Sequence, residues 1–478
     1  MSAGATPSPT TDVIVIGGGP AGSTIASFLA RKGHAVTVFE RDLFPRDHVG
    51  ESMLPFCYHI FEELGVLEEM EQRWVRKPGV RFLDVDGVTS TTFCFGHKID
   101  GPSHLSFQVL RSEFDEFLLD HSVEEGAEVH EGMAVRAVDL DVPGDGVSVE
   151  VRDQEGRTHT VQAKFLVDAS GRETFVANRM GTKTAHKELE RTALSCHWKG
   201  CKYFGGLQEG MIQIVYTGGE QQGWIWVIPL GRDRLSIGIV MNTAYYRAQR
   251  AGLKAAGHDD WRDALYMREI LESPYVAEVL ENAERMNYQL MLNGDYSYFV
   301  GSKWGERYAL VGDASAFIDP IFSSGVYLAM QSSRYLADAV DVRLRKGVEA
   351  GAEAMEAVYT KIVGAYALVD KLIRLFYTPD ALNFAQLGSA SEVFEDYDHY
   401  ANAIALQHFL LAGDFFEQAN KYSDFVDTLR DPRKYKMYEN LVMKREQFQA
   451  DSTCNMDPDV IFNPLLEIHE ARRLERGI

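Results

Sequence analysis

The 478-residue chain has few cysteines, no long apolar run and a shortage of positive charge. Its five cysteines, Cys57, Cys94, Cys196, Cys201 and Cys454, fall into no zinc-type spacing. Their odd number and wide separation suit a reducing cytoplasm without a disulfide framework. No stretch of about 18 apolar residues occurs, so no transmembrane helix is expected. Residues 1–11, MSAGATPSPTT, lack a basic region and an apolar core, so they read as a disordered tail and not as a signal peptide. Lysine and arginine total 48 against 70 aspartates and glutamates, a formal charge of −22. That balance repels a phosphate backbone over most of the surface and counts against nucleic acid as a partner.

What is present suits a well-packed globular protein, with 45% hydrophobic and 11% aromatic residues. The length calls for two or three modules. The segment Asp12–Ile16 is a short apolar strand that runs into Gly17-Gly18-Gly19-Pro20-Ala21-Gly22. A helix follows to about Lys32, where Gly33 can stop it, and a second strand, Ala35–Phe39, ends at Glu40. This strand–turn–helix–strand unit binds an ADP moiety. Gly17 allows the tight turn, Gly19 lets amides approach a pyrophosphate, and Gly22 brings helix and strand together. The helix N-terminus favours the phosphates, and Glu40 can accept protons from ribose hydroxyls. No second GxGxxG is present for a nicotinamide nucleotide, which argues against a dedicated NAD(P)H domain.

Two later segments point to FAD. Asp168-Ala169-Ser170-Gly171 follows the strand Lys164–Val167, and the strand Tyr308–Val311 leads into Gly312-Asp313. An acid there can hold a flavin's ribityl hydroxyls, with the next helix presenting N–H groups to the ring. On these residues the chain resembles the flavoproteins related to aromatic hydroxylases. The resemblance implies that Arg111, in VLRSEF, reaches the cofactor. Ser112 and Asp115 behind it read as a helix-start pair.

Three further features resemble flavin-dependent halogenases over about residues 12–340. Trp224-Ile-Trp226-Val-Ile-Pro229 is similar to the family's WxWxIP signature. Phe317-Ile-Asp-Pro320-Ile-Phe-Ser323-Ser-Gly325 fits FxxPxxSxG. Lys77, in VRKPGVRF, stands where the family carries its essential lysine, and His48-Val-Gly-Glu-Ser-Met-Leu-Pro55 is family-like. The resemblance implies an enzyme in which reduced flavin, oxygen and chloride or bromide yield hypohalous acid. That acid then travels through a tunnel to Lys77. It also implies cofactor contacts at Gly17, Gly19, Ala21, Gly22, Glu40, Arg111, Asp313 and Val326, and halide contacts at Ser324 and Gly325.

On a strand Trp224 and Trp226 share one face, and Pro229 should end the strand or lie at an edge. The tryptophans read either as core or as a tunnel wall that keeps an organic substrate away from the flavin. Lys77 reads either as a solvated surface lysine or as a buried amine of lowered pKa, beside a strand Val80–Leu83 expected over the flavin. A haloamine route needs the neutral amine and a hydrogen-bonding route the ammonium. The turn at Ser324-Gly325 serves a halide or the flavin alone.

Tryptophan-type members carry a glutamate before the turn serine, where this chain has Phe322. The resemblance therefore favours a phenol or pyrrole, free or carrier-protein-bound, over free tryptophan. It also implies a separate flavin reductase and a place in natural-product biosynthesis. A FAD-dependent aromatic hydroxylase or epoxidase, or a geranylgeranyl-type reductase, are the competing classes.

The expected architecture is an α/β, GxGxxG Rossmann-like FAD-binding domain over residues 12–340. It carries an interleaved substrate-side β-sheet (about 76–110 and 190–300), and a helical C-terminal region occupies 341–478. Helices are expected at Glu353–Phe376, Tyr397–Leu429 and Lys434–Gln449, dense in aromatics such as Tyr359, Tyr366, Phe376, Tyr377, Phe384, Phe409, Phe415 and Phe416. Arg430, Arg433, Lys434, Lys436, Lys444 and Arg445 could dock an acidic carrier or merely solvate helix ends.

Overall fold

Apolar alternation and the glycine turn build the first layer of the fold. In the computed structural model, which describes residues 7–97, 99–142, 146–219, 223–286, 290–378, 383–385, 411–417, 419–430 and 454–462, strand β1 (Thr10–Ile16) leads to helix α1 (Pro20–Arg31) and strand β2 (Val36–Glu40). β1 starts at Thr10, so the last two residues of the expected tail belong to the sheet, where Thr10 and Thr11 pair with Gln162 and Ala163. β1 lies between β2 and the strand Thr158–Asp168, parallel to both. Glu128–Glu131 extends the sheet beyond β2, and Tyr308–Leu310 pairs with the end of Thr158–Asp168. This puts the ends of β1, β2 and Thr158–Asp168 at one edge, where doubly wound sheets bind ligands.

A second, eight-stranded sheet supplies the opposite wall. Its order runs from Glu284–Arg285 through Arg191–Lys199, Arg234–Asn242, Trp224–Gly231, Ile212–Tyr216 and Gly79–Leu83 to Ser90–Cys94, with Met291–Tyr296 also pairing Arg191–Lys199. Alternation sorts its side chains between two cores. Ile212, Ile214, Trp224, Trp226 and Ile228 face the FAD-binding half. Val215, Ile225, Val227, Ile237 and Ile239 face Leu265, Tyr266 and Ile270. Those last residues lie on Trp261–Leu271, one of three helices between Thr243 and Val279 that interrupt the stretch expected to be sheet.

Pro229 does not end its strand, which continues to Gly231. The strand's last partner on the Ile212–Tyr216 side is Val227, and its register with Arg234–Asn242 shifts between Pro229 and Gly231. The missing N–H therefore falls where the strand is locally an edge.

The long helices Gly325–Lys346 and Val348–Tyr377 pack on this frame. The first spans residue 340, and the second contains the expected helix at 353–376. Ala419–Arg430 is helical. The expected helix at 397–429 is not continuous: 413–417 are not helical, and Gly413 turns the chain with φ +109°. Residues 397–410, Phe409 among them, and 418, all of the expected helix at 434–449, and the basic cluster Arg433, Lys434, Lys436, Lys444 and Arg445 lie outside the described residues, as does the Arg430 side chain.

The cysteines depart from the reading of the sequence: Cys94 and Cys454, 360 positions apart, form a disulfide with Cα atoms 5.5 Å from each other. The bridge fastens the segment Cys454–Phe462 to the second sheet. Ile461 and Phe462 pack there with Val75 and Leu105, and Arg232 binds Asp459 at 2.6 Å. Nothing in sequence spacing links positions so far apart; only the fold brings them together.

Candidate active site

One cavity of about 720 Å³ runs between the two sheets. At its nucleotide end lie Gly17, Gly19, Ala21 and Glu40. Gly17 has φ +99°, and a Cβ on Gly22 would collide with the Gly17 carbonyl oxygen, so both positions need glycine. Glu40 is buried and accepts from Gly18 N at 2.7 Å and Asp42 N at 2.9 Å. Arg46, from the loop after β2, lines the same end.

Midway, Asp313 and Arg111 face the cavity. Burial pushes the Asp313 carboxyl up to about 6, against the pull of Arg172 and Arg111. Ser112 and Asp115 do not start the helix as expected. Arg111 opens Arg111–Glu124 without a side-chain cap, and Asp115 holds it by two bonds, Nε–Oδ1 at 2.8 Å and Nη2–Oδ2 at 3.0 Å. The planar guanidinium matches a carboxylate one turn away better than a cap would. Its Nη1 donates to the Val49 carbonyl at 2.7 Å. Arg111 thus braces the strap from His48 to Ser52, which forms one wall of the cavity.

At the far end stand Trp224, Trp226, Phe317, Pro320, Ser323, Gly325 and Val326. The two indoles are 5.7 Å apart between ring centres. Trp224 Nε1 donates to the Tyr377 hydroxyl at 2.8 Å, and that hydroxyl donates to Asp319 Oδ2 at 2.9 Å. Burial pushes the Asp319 carboxyl up to about 6. Trp226 Nε1 donates to Ser236 Oγ at 3.1 Å, and its indole lies across Gly238. Ser323 takes a left-handed φ of +55° just before the helix that begins at Gly325. The free N–H groups of that helix start therefore meet the cavity, while Ser324 itself is buried and its Oγ has no partner among the described residues.

Phe322, just before the turn serine, packs against Phe376 and Phe384 with centroids at 6.3 and 5.9 Å. Phe384 stacks on Phe82 at 5.1 Å.

Lys77 does not line the cavity and does not reach solvent, being 1% exposed. It sits on a short strand, Val75–Lys77, paired with Ser106–Gln108 rather than in the large sheet. Its Nζ donates to the Met53 carbonyl at 2.8 Å and lies 5.5 Å from the centre of the Phe95 ring. Burial brings the amine down from 10.5 to about 7. Among the described residues it makes no ion pair, and its neighbour Cys57 is held as a thiol by the same burial. Met53 follows Ser52 of the cavity wall, so the amine stands one residue behind that wall.

Sequence reasoning named Tyr377 only as one aromatic among several, and missed Arg46, Asp319 and the pair Glu51–His197. Glu51 lies within the family-like stretch His48–Pro55, and His197 is the one basic group in the run TALSCHW.

The residues present fit FAD: a glycine turn at the start of α1, the acids Glu40 and Asp313 along the cavity, and a helix start at its far end. Comparison with known proteins agrees. The sequence profile of the FAD binding domain family matches residues 10–357. The chain is 35% identical to the flavin-dependent halogenase armH3 of Armillaria mellea, over 70% of this chain and 68% of that protein. It is 31% identical to the 1H-pyrrole-2-carbonyl-[peptidyl-carrier protein] chlorinase of Pseudomonas fluorescens, over 68% of this chain and 74% of that one. Of some other members it spans a little under two thirds of the length. The solved myxobacterial chondrochloren halogenase CndH superposes with a TM-score of 0.71 at 30% identity, covering 88% of this chain and 97% of that one. Cavity, motifs and relatives agree, and the chain belongs to the flavin-dependent halogenases, enzymes of the FAD-binding α/β class.

Proposed function

We propose that this halogenase oxidises chloride or bromide at the cavity's far end and delivers the resulting hypohalous acid to Lys77. An electron-rich phenol or pyrrole, free or tethered to a carrier protein, is then halogenated beside that lysine, in natural-product biosynthesis. When bound, reduced FAD and dioxygen supply the oxidising power. Gly17, Gly19, Ala21, Gly22 and Glu40 would hold its nucleotide, and Asp313 and Arg111 its middle. The helix start at Ser324, Gly325 and Val326 would hold the halide and the ring edge. The observation that carries this reading is Lys77: a buried amine with no counter-ion among the described residues, one residue behind the cavity wall. Such a group is costly to keep unless it works.

Trp224 and Trp226 act by exclusion. Both indoles are fixed by hydrogen bonds and occupy the space an organic substrate would need to meet the flavin. With its amine at about 7, Lys77 is mostly neutral above that pH. The neutral amine takes up the halogen, so product formation rises with pH through about 7.

Phe322 leaves no carboxylate at the position that assists an indole, which favours phenols and pyrroles. One relative is a chlorinase of a carrier-bound pyrrole, which supports the tethered option by analogy. Reduced flavin comes from a separate flavin reductase. No helix among the described residues is long and apolar enough to cross a membrane. A cytoplasmic location is proposed from composition, and the Cys94–Cys454 bridge weighs against it.

The test supplies the protein with FAD, NADH, a flavin reductase, oxygen and bromide or chloride. Free and carrier-loaded tyrosyl and pyrrolyl substrates are then screened by mass spectrometry. Halide-dependent product that disappears in Lys77→Ala is expected. Full-rate halogenation by Lys77→Ala, or hydroxylated product without halide, overturns the reading.

A further inference from the structure

Hypohalous acid cannot be made in this cavity without a proton. Two electrons from the halide and two from the reduced flavin reduce one dioxygen, whose atoms leave as hypohalous acid and water. Those products hold three hydrogens, and the reduced flavin brings two. The third must come from a group at the wall, because the site works by shutting water out.

Glu51 and His197 stand where such a group is needed. Glu51 lines the cavity, and its Oε1 meets His197 Nε2 at 2.5 Å. Both residues are buried, at 3% and 3% exposure, and they lie 146 positions apart. His197 projects from the strand Arg191–Lys199 on the same face as Ala193, which also lines the cavity.

A structural tie does not account for the pair. The strap is already fastened by its backbone, Val109 N to the Glu51 carbonyl at 2.7 Å and Met53 N to the Phe107 carbonyl at 2.9 Å. Burying two ionisable groups where apolar packing would serve is costly. Beside the pair, Ser52 Oγ and Ser195 Oγ are buried with no partner among the described residues. Orphaned hydroxyls of this kind mark a polar lane in an otherwise apolar wall. The charged groups around it are Arg111 and Lys77 on the strap side, bound to the carbonyls of Val49 and Met53. Arg234 lies on the strand paired with His197, and Asp313 faces the same cavity.

We propose that the Glu51–His197 pair supplies the proton for halide oxidation. His197 Nε2 passes it to Glu51 Oε1, and Glu51 gives it to the oxygen that departs as water. The pair is left as imidazole and carboxylate and regains a proton before the next turnover. This rests on the halogenase reading above.

The test compares wild type with Glu51→Gln and His197→Gln by three readouts. Hypohalous acid is scavenged by a small 1,3-diketone over pH 6 to 8.5. FAD affinity is measured by fluorescence. Proton uptake on adding chloride to the oxidised, FAD-loaded protein is measured by calorimetry in two buffers of different ionisation heat. Expected are unchanged FAD affinity and proton uptake that vanishes in both variants. Scavenged acid should fall on the order of a hundredfold at pH 7 and recover as pH is lowered. Loss of FAD binding by both variants would make the pair a structural tie and overturn the proposal. So would a wild-type rate and pH profile in Glu51→Gln. If the wild type yields no hypohalous acid, the halogenase reading falls and takes this proposal with it; if only the variants behave like wild type, the proposal falls alone.

Discussion

Replacing Lys77 by methionine should make the protein more stable while abolishing halogenation, and the gain should depend on pH in a defined way. The amine falls from 10.5 to about 7 on burial. Each pH unit of that displacement is worth about 1.4 kcal/mol, so carrying this lysine costs the fold about 5 kcal/mol at pH 7 and below. The unfolded chain keeps the proton up to pH 10.5 and the folded chain loses it near 7. Between those limits the unfolded state binds more protons, so wild-type stability rises with pH. Methionine has no proton to lose. Its one cost is the Met53 carbonyl left without a donor, about 1–3 kcal/mol at any pH. Lys77→Met should therefore be about 2–4 kcal/mol more stable near pH 7. That advantage should shrink by about 1.4 kcal/mol per pH unit toward pH 10. Urea unfolding of both cofactor-free proteins, followed by tryptophan fluorescence at pH 6.5 to 9.5, measures the difference. A gap that does not change with pH, or that widens as pH rises, would refute the burial on which the delivery role depends.

Gly22→Ala should push α1 away from the Gly17 carbonyl and weaken FAD binding by about 3 kcal/mol, on the order of a hundredfold in Kd, as read by fluorescence titration. Protein prepared without reductant should show three titratable thiols after denaturation, Cys57, Cys196 and Cys201. Cys94→Ser should expose a further thiol and lose about 2–5 kcal/mol of stability, whereas a fully reduced wild type would remove the bridge. Tyr377→Phe should remove the hydroxyl that links Trp224 Nε1 to Asp319 Oδ2, costing about 1–3 kcal/mol in denaturant unfolding; unchanged stability would show that the chain of bonds is not made in solution.

The nucleotide end was legible because it is local. β1, the glycine turn, α1 and β2 follow one another within 31 residues, and steric demands at Gly17 and Gly22 are written in the residues themselves. The far end was legible as motifs but not as geometry. The alternation in Trp224-Ile-Trp226 gave the shared face, and the Trp226 partner Ser236 lies on the neighbouring strand. Long-range pairs left no trace in spacing: Glu51 with His197, Tyr377 with Asp319, Cys94 with Cys454. Asp115 misled because a carboxylate three residues into a helix suits a cap, until a guanidinium one turn away claims it. The helices between Thr243 and Val279 were read as sheet because Leu265, Tyr266 and Ile270 serve the same core as strand residues do.

The flat seat of Trp226 on Gly238 extends the tryptophan motif beyond its own strand. Any side chain at Gly238 would meet the indole and displace it within the cavity it lines, so the ring's tilt is set from behind, by an empty position twelve residues downstream. A designer who wishes to widen or narrow this chamber can leave both tryptophans alone and work from that vacant spot instead.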